Sequence, residues 1–159
     1  MLPCGWYHRN RGGDPLTRVV ATGTFDLLHP GHIYYIEESG KLGDELFVIV
    51  ARDANVRHKP RPVIPEEQRR SMVAALRAVD NAVLGDPTDM FRPIREIQPD
   101  VITIGFNQHY DTAVLVRQLE EQSLDARVVR INRCPRGALC SSRLIVSEIL
   151  RRSGCEPDK

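Results

Sequence analysis

Two hydrophobic patterns alternate along the chain. Short runs that are apolar almost throughout, such as 45–51 (ELFVIVA), are separated by longer stretches whose apolar residues recur at helical spacing, as in 30–42. A short, continuously apolar run is typical of a strand that is buried on both faces. The pattern predicts strands over 18–23, 45–51, 81–84, 101–104 and 126–131, and helices over 30–42, 65–77, 88–97, 111–122 and 142–152.

This strict alternation of strands and helices predicts an α/β fold, a single doubly wound five-stranded parallel sheet with helices on both faces. We expect one domain over 18–152, a flexible N-terminal extension over 1–17, where no periodicity is visible, and a short C-terminal tail over 153–159. Ligands of such sheets bind beyond the carboxyl ends of the strands. The loops after the first, second and fourth strands are therefore the candidate binding loops.

Composition and charge narrow the class of protein. The chain has 159 residues, with 22 Lys and Arg against 21 Asp and Glu, and a formal net charge of +1. This balance excludes a generally basic nucleic-acid-binding surface. The sequence contains no apolar stretch of the ~18 residues that a membrane-spanning helix needs, and its N-terminus lacks the apolar core of a secretory signal. We expect a soluble, cytoplasmic protein with neither a nucleic-acid nor a membrane partner.

Four cysteines occur, at positions 4, 134, 140 and 155. Their spacing contains no C-x-x-C and matches no zinc finger. Since disulfides are rare in intracellular proteins, free thiols are expected.

The loop after the first predicted strand contains the residues best suited to bind a phosphate. It reads TFDLLHPGH over 24–32, so that His29 and His32 flank Pro30 and Gly31 where a helix begins. A helix N-terminus offers unpaired N–H groups and a partial positive charge, which favour a phosphate. Two imidazole N–H groups would add donors to the same phosphate. The alternative is that one histidine only caps the helix while the other is exposed.

A P-loop is excluded, and a Rossmann dinucleotide site is disfavoured. The sequence contains no G-x-x-x-x-G-K-[ST], and no G-x-G-x-x-G follows the first strand. Further cations are candidates for phosphate contact: Arg57, Lys59, Arg61 and Arg69. A group of charges in a loop is usually only solvated, so the case for Arg57 and Arg61 is evenly balanced.

Residues 23–32 (GTFDLLHPGH) resemble the signature of the HxGH nucleotidyltransferases, the cytidylyltransferase-like superfamily with a Rossmann-like fold. A second signature of that family, a Ser-rich turn that opens the last helix, is similar to 140–145 (CSSRLI). Within the superfamily, 51–56, 62–69 and 100–108 look most like the archaeal enzymes that adenylylate FMN. The similarity runs from about residue 18 to 150. Relatives often carry Asp where this chain has Asn107, which puts a role that needs negative charge in doubt.

The resemblance implies transfer of AMP from ATP to FMN, giving FAD and pyrophosphate, with Mg²⁺ or a similar divalent cation. It implies His29 and His32 as catalytic residues. The implied nucleotide-binding residues are Thr24, Phe25, His29, Pro30, Gly31, His32, Lys59, Arg69, Asn107, Ser141 and Ser142. Relatives are commonly dimers, so a homodimer is expected. The alternatives are a cytidylyltransferase acting on a small phosphorylated alcohol such as glycerol phosphate and, more distantly, a non-enzymatic nucleotide-binding module.

Overall fold

A computed structural model describes residues 16–56, 61–106, 108, 111–132 and 139–154. In this part of the chain, five strands and five α-helices alternate along the sequence. They are β1 (Arg18–Gly23), α1 (Pro30–Gly40), β2 (Glu45–Val50), α2 (Glu66–Ala74), β3 (Asn81–Leu84), α3 (Arg92–Ile97), β4 (Val101–Gly105), α4 (Thr112–Glu121), β5 (Arg127–Ile131) and α5 (Ser142–Arg152). The strands form one parallel sheet in the order β3-β2-β1-β4-β5. The predicted fold class is confirmed.

The sheet has an apolar cluster on each face. Successive side chains of a strand point to opposite faces, and β1 accordingly places Val19 and Ala21 in one cluster and Val20 in the other. The first cluster packs under α1 and α2 and includes Ile36 and Val73. The second packs under α3 and α4. Burial on both faces explains why the strand sequences are apolar throughout.

Helix boundaries differ from prediction at several ends. The helix predicted over 88–97 begins only at Arg92, which puts Pro93 in the first turn, where a missing N–H costs nothing. Just before it, Asp86 accepts hydrogen bonds from the backbone N–H groups of Thr88 and Asp89, at 2.9 and 2.8 Å. Such local bonds compete with helix formation. Helices α1 and α2 end two and three residues earlier than predicted, at Gly40 and Ala74.

Strand order places the switch point beside the histidine loop. Consecutive connections run from β1 outward to β2 and β3 on one side, and then return across β1 to β4 and β5. The crevice at the carboxyl ends of β1 and β4 is the expected ligand position in such a sheet. No helix in the described ranges is long and apolar enough to cross a membrane. The predicted extension over 1–17 falls almost wholly on residues 1–15, outside the described residues.

Candidate active site

His29 is the N-cap of α1. Its backbone is extended, with φ −143° and ψ 166°, and its Nδ1 accepts a hydrogen bond of 3.2 Å from the backbone N–H of His32. Asn, Asp, Ser and Thr usually cap helices in this way. The two imidazole rings are stacked, with centroids 3.7 Å apart. His29 thus caps the helix, and His32 is partly buried rather than exposed; the catalytic roles of both residues stay predictions.

The cap fixes which nitrogen of His29 can act as a donor. Because Nδ1 accepts a hydrogen bond, the neutral ring carries its proton on Nε2. Burial lowers the pKa of His29 below its ordinary value of 6.5, so the neutral ring prevails at pH 7. Protonation of Nδ1 would break the cap and place a positive charge at the positive end of the helix dipole. Capping and donation are thus compatible, since they use different nitrogens.

Phe25 shapes the loop that carries the histidines. Its φ of 51° lies in the left-handed region, which costs a non-glycine residue ~1–3 kcal/mol. The ring is 1% exposed and meets the His32 ring edge-on, with centroids 5.3 Å apart. A Cβ at Gly23 would lie 2.8 Å from this ring, so glycine is required there. The Phe25 ring belongs to the core, and a nucleotide contact by its backbone N–H stays a prediction.

A buried hydrogen-bond network joins β1 to β4 beneath this loop. The Tyr35 hydroxyl donates to the carbonyl of Thr103 at 2.8 Å and accepts from the backbone N–H of Thr22 at 3.2 Å. Ser39 Oγ lies 2.8 Å from Thr103 Oγ1. Burial raises the pKa of Tyr35 to about 12, so its hydroxyl stays protonated and acts structurally. These hydrogen bonds hold β1 and β4 in place at the switch point of the sheet.

Helix α5 begins against the N-terminus of α1. A Cβ at Gly31 would lie 2.8 Å from the carbonyl oxygen of Cys140 and 3.0 Å from the His29 ring, so only glycine fits this approach. Ser141 caps α5, and its Oγ accepts from the backbone N–H of Leu144 at 3.2 Å. Ser142 is the first residue of the helix. The structure therefore brings the two signature segments together and places two helix N-termini side by side.

Arg69 forms hydrogen bonds with several loops around it. Its side chain is 0% exposed, although charged side chains are rarely buried unless paired. The guanidinium donates to the carbonyls of Thr24, Ala51 at 2.9 Å and Ile64 at 2.8 Å, and to the carboxylate of Asp53. The predicted phosphate contact of Arg69 stays a prediction. What the structure shows is that Arg69 holds the loops after β1 and β2 against α2.

The sequence alone did not reveal which acidic residues hold the loops of the site together. Asp26 Oδ1 accepts from the backbone N–H of Ile64 at 2.9 Å, which joins the histidine loop to the segment before α2. Glu66 accepts from the backbone N–H of Asp53 at 2.7 Å and from Arg52 at 2.8 Å. Asp26 lies within the signature segment, but no local pattern marks its partner. These contacts connect distant segments, so only the tertiary structure reveals them.

The turn after β4 is held by Gln108. Its Nε2 donates to the carbonyl of Thr22 at 2.6 Å, and its Oε1 accepts from the backbone N–H of Gly105 at 3.2 Å. Arg130 supports the same turn through the carbonyls of Gly105 and Gln108. The neighbouring Asn107 lies outside the described residues, as do Arg57 and Lys59. Arg61 is exposed.

The described residues offer no preformed metal centre. Among them, no three His, Cys, Asp or Glu side chains lie close enough together to hold a metal ion. Cys140 is partly buried and forms no disulfide within the described ranges. The other three cysteines lie outside the described ranges. The described donors at this site are imidazole, hydroxyl and backbone N–H groups, which suit phosphate oxygens.

Fold and site together define a nucleotidyltransferase of the HxGH type, and the comparisons with known proteins agree. The family model for cytidylyltransferase-like proteins matches residues 20–148. A solved structure of a lipopolysaccharide core biosynthesis protein from Thermoplasma volcanium superposes with a TM-score of 0.73 at 42% identity, covering 76% of this chain and 99% of that one.

Relatives of higher identity are curated archaeal FAD synthases. The FAD synthase of Methanosphaerula palustris is 65% identical over 139 residues, which cover 87% of this chain and 91% of that protein. The FAD synthase of Methanospirillum hungatei is 66% identical over 134 residues, which cover 84% and 86%. The chain belongs to the cytidylyltransferase-like family and, within it, to the archaeal FAD synthases.

Proposed function

We propose that the protein transfers the AMP moiety of ATP to FMN, giving FAD and pyrophosphate. The observation that carries this function is the meeting of two helix N-termini beside a stacked histidine pair, at the switch point of the sheet. The relatives named FAD synthase support the choice of ATP and FMN. Within the cytidylyltransferase-like family, they favour this acceptor over a phosphorylated alcohol.

The reaction needs positioning more than proton transfer. A phosphate oxygen of FMN attacks the α-phosphorus of ATP in line, and the bond between that phosphorus and the α,β-bridging oxygen breaks. The electron pair leaves with pyrophosphate. Because the FMN phosphate is largely dianionic at neutral pH, its oxygen attacks without a general base. Catalysis then consists of aligning the reactants and stabilising the charge that grows on the phosphates.

The protein supplies preorganised donors for that charge. His29 donates through Nε2–H, while its Nδ1 keeps the helix cap. The stacked ring of His32 lies beside it, held edge-on by Phe25. Backbone N–H groups near Gly31 and at the start of α5 complete the set, with Ser142 as a further hydroxyl donor. Loss of one such donor typically costs ~10²–10³ in turnover.

A divalent cation enters this proposal as part of the substrate. Mg²⁺ commonly binds through substrate phosphates and only one or two carboxylates. That usage fits a site whose described residues contain no group of three ligands. We therefore assign the cation to the ATP phosphates, where it would neutralise part of their charge.

Two substrate pairs test the function. Purified protein is incubated with Mg²⁺, FMN and ATP, or with Mg²⁺, glycerol phosphate and CTP, and pyrophosphate release is followed. Release with the first pair and formation of FAD are the expected results. Turnover with the second pair alone would assign the chain to cytidylyl transfer. Tight ATP binding without turnover on either acceptor would favour a binding module.

Assembly and location complete the proposal. A homodimer is proposed because relatives of this superfamily are commonly dimers, and gel filtration combined with light scattering measures its mass. A cytoplasmic location is proposed because the proposed reaction uses ATP and FMN, which are intracellular substrates. Fractionation of cells that express the tagged chain tests that location.

A further inference from the structure

A cavity of about 260 Å³ lies at the carboxyl end of β3, between that strand and α3. Its walls include the apolar residues Val83 and Ile97, which belong to the cluster on the α3 face of the sheet. Neither His29 nor His32 lines it. The phosphate chemistry described above therefore leaves this cavity unused.

The polar residues around the cavity carry balanced charges: Arg52 and Arg92 against Asp86 and Glu96. Arg92 lies 3.3 Å from Asp86 Oδ2 and 3.1 Å from Glu96 Oε1. Hydrogen bonds, chiefly from the backbone N–H of Thr88, lower the pKa of Asp86 to about 2, so its carboxylate is ionised at neutral pH. An anionic ligand would meet two carboxylates here. A neutral ring system with an apolar body and a polar edge fits better, because guanidinium planes stack on aromatic faces.

Hydrogen bonds connect the cavity to the histidine loop. Arg52 Nε donates to the carbonyl of Gly85 at 2.8 Å, and Arg52 Nη1 donates to Glu66 at 2.8 Å. Glu66 also accepts from Asp53, which is the carboxylate partner of Arg69. Strand β3 lies two positions from β1, which corresponds to about 10 Å across the sheet. The cavity and the histidine loop thus lie at the same carboxyl edge of the sheet.

We propose that this cavity binds the isoalloxazine ring of FMN. The inference rests on the proposed function, since it names the part of the acceptor that the phosphate site does not hold. The ring is neutral, with an apolar benzenoid end that can contact Val83 and Ile97 and a polar pyrimidine end that can contact the charged rim. The ribityl chain then carries the phosphate along the sheet edge toward His29 and His32.

Two variants of the cavity test this assignment, each with a matched control. A Cβ at Gly85 would lie 3.6 Å from the Val50 carbonyl, which is ordinary contact, so Gly85→Ala narrows the cavity without a clash. Gly40→Ala is its control, since its nearest atoms lie at 3.7 Å in a position remote from the site. Arg92→Ala removes a rim guanidinium. Arg70→Ala is the control for it, since Arg70 likewise pairs with a carboxylate on its own helix.

Riboflavin is the probe, because it carries the ring without the phosphate. Quenching of flavin fluorescence gives its Kd for each protein, and steady-state assays give the KM values for FMN and ATP. We expect the two cavity variants to weaken riboflavin binding and to raise the KM for FMN about tenfold, the change that ~1.4 kcal/mol produces. The KM for ATP and the melting temperature should stay close to the wild-type values, and both controls should behave as wild type.

Two results would overturn the assignment: wild-type protein that does not bind riboflavin, or folded cavity variants with unchanged riboflavin affinity. Failure of the proposed function looks different. In that case, wild-type protein releases no pyrophosphate from ATP and FMN, whatever its affinity for riboflavin.

Discussion

Replacing His29 by asparagine separates the capping role of this residue from its proposed catalytic role. Asparagine is among the best N-cap residues, and its side-chain oxygen can accept the bond that His32 N–H now donates to Nδ1 at 3.2 Å. Its shorter side chain cannot reach the position of the imidazole Nε2. His29→Ala removes both functions. The two variants therefore differ in the helix cap while sharing the loss of the phosphate donor.

The expected magnitudes differ by assay. Loss of the cap in His29→Ala should cost ~1 kcal/mol, which for a chain of this size lowers the melting temperature by about 2–4 °C. His29→Asn should melt within about 1 °C of wild type. Both variants should lose ~10²–10³ in kcat for FAD formation, with smaller changes in the KM for ATP.

Melting temperature and kcat are measured on the same preparations, with His32→Ala beside them. We expect His32→Ala to lose turnover on a similar scale while it stays folded, because the change removes the ring contacts with Phe25 and His29 but keeps the backbone N–H of residue 32 that donates to the helix cap. If His29→Asn restored near-wild-type kcat together with stability, the histidine would be only a cap and the proposed mechanism would be refuted.

Further variants test the surroundings of the histidine pair. Gly31→Ala should lower kcat at least about tenfold with a modest loss of stability, because the added Cβ would lie 2.8 Å from the Cys140 carbonyl oxygen and would displace the start of α5. An unchanged kcat would show that the close contact between α1 and α5 is not needed for catalysis. Arg69→Met should cost ~3 kcal/mol or more in the free energy of unfolding measured by denaturant, because buried carbonyls and a carboxylate lose their donor; a cost below ~1 kcal/mol would contradict the loop-tying role. Ser142→Ala should change kcat by less than about tenfold, because the backbone N–H groups at the start of α5 survive; a loss as large as that of His29→Ala would show that the hydroxyl is essential. The free energy of unfolding should fall as pH drops below 6.5 toward the lowered pKa of His29, because in that range the unfolded chain binds the proton more tightly than the folded chain. His29→Asn should remove this part of the pH dependence. An identical pH profile in the variant would refute the link to His29.

The sequence by itself determined the order of elements and the place of the chemistry. Runs such as 45–51 have to be buried on both faces, and their alternation with amphipathic helices leaves few arrangements other than a parallel sheet. The segment over 24–32 follows the first strand directly, so its histidines had to lie at the carboxyl edge. Helix ends were less determined, because local bonds such as those to Asp86 compete with the helix at its first turn.

Tertiary structure decided everything that depends on distant partners. Arg69 and Thr24 are 45 residues apart, and Tyr35 and Thr103 are 68 apart, yet each pair is joined by a hydrogen bond. In the sequence, Arg69 is a cation on a helix and a candidate for phosphate contact, and only its burial among carbonyls shows that it links the loops. Local periodicity reports which face of an element is buried. It does not report which polar groups meet across the sheet, because that depends on strand order and on the paths of the loops.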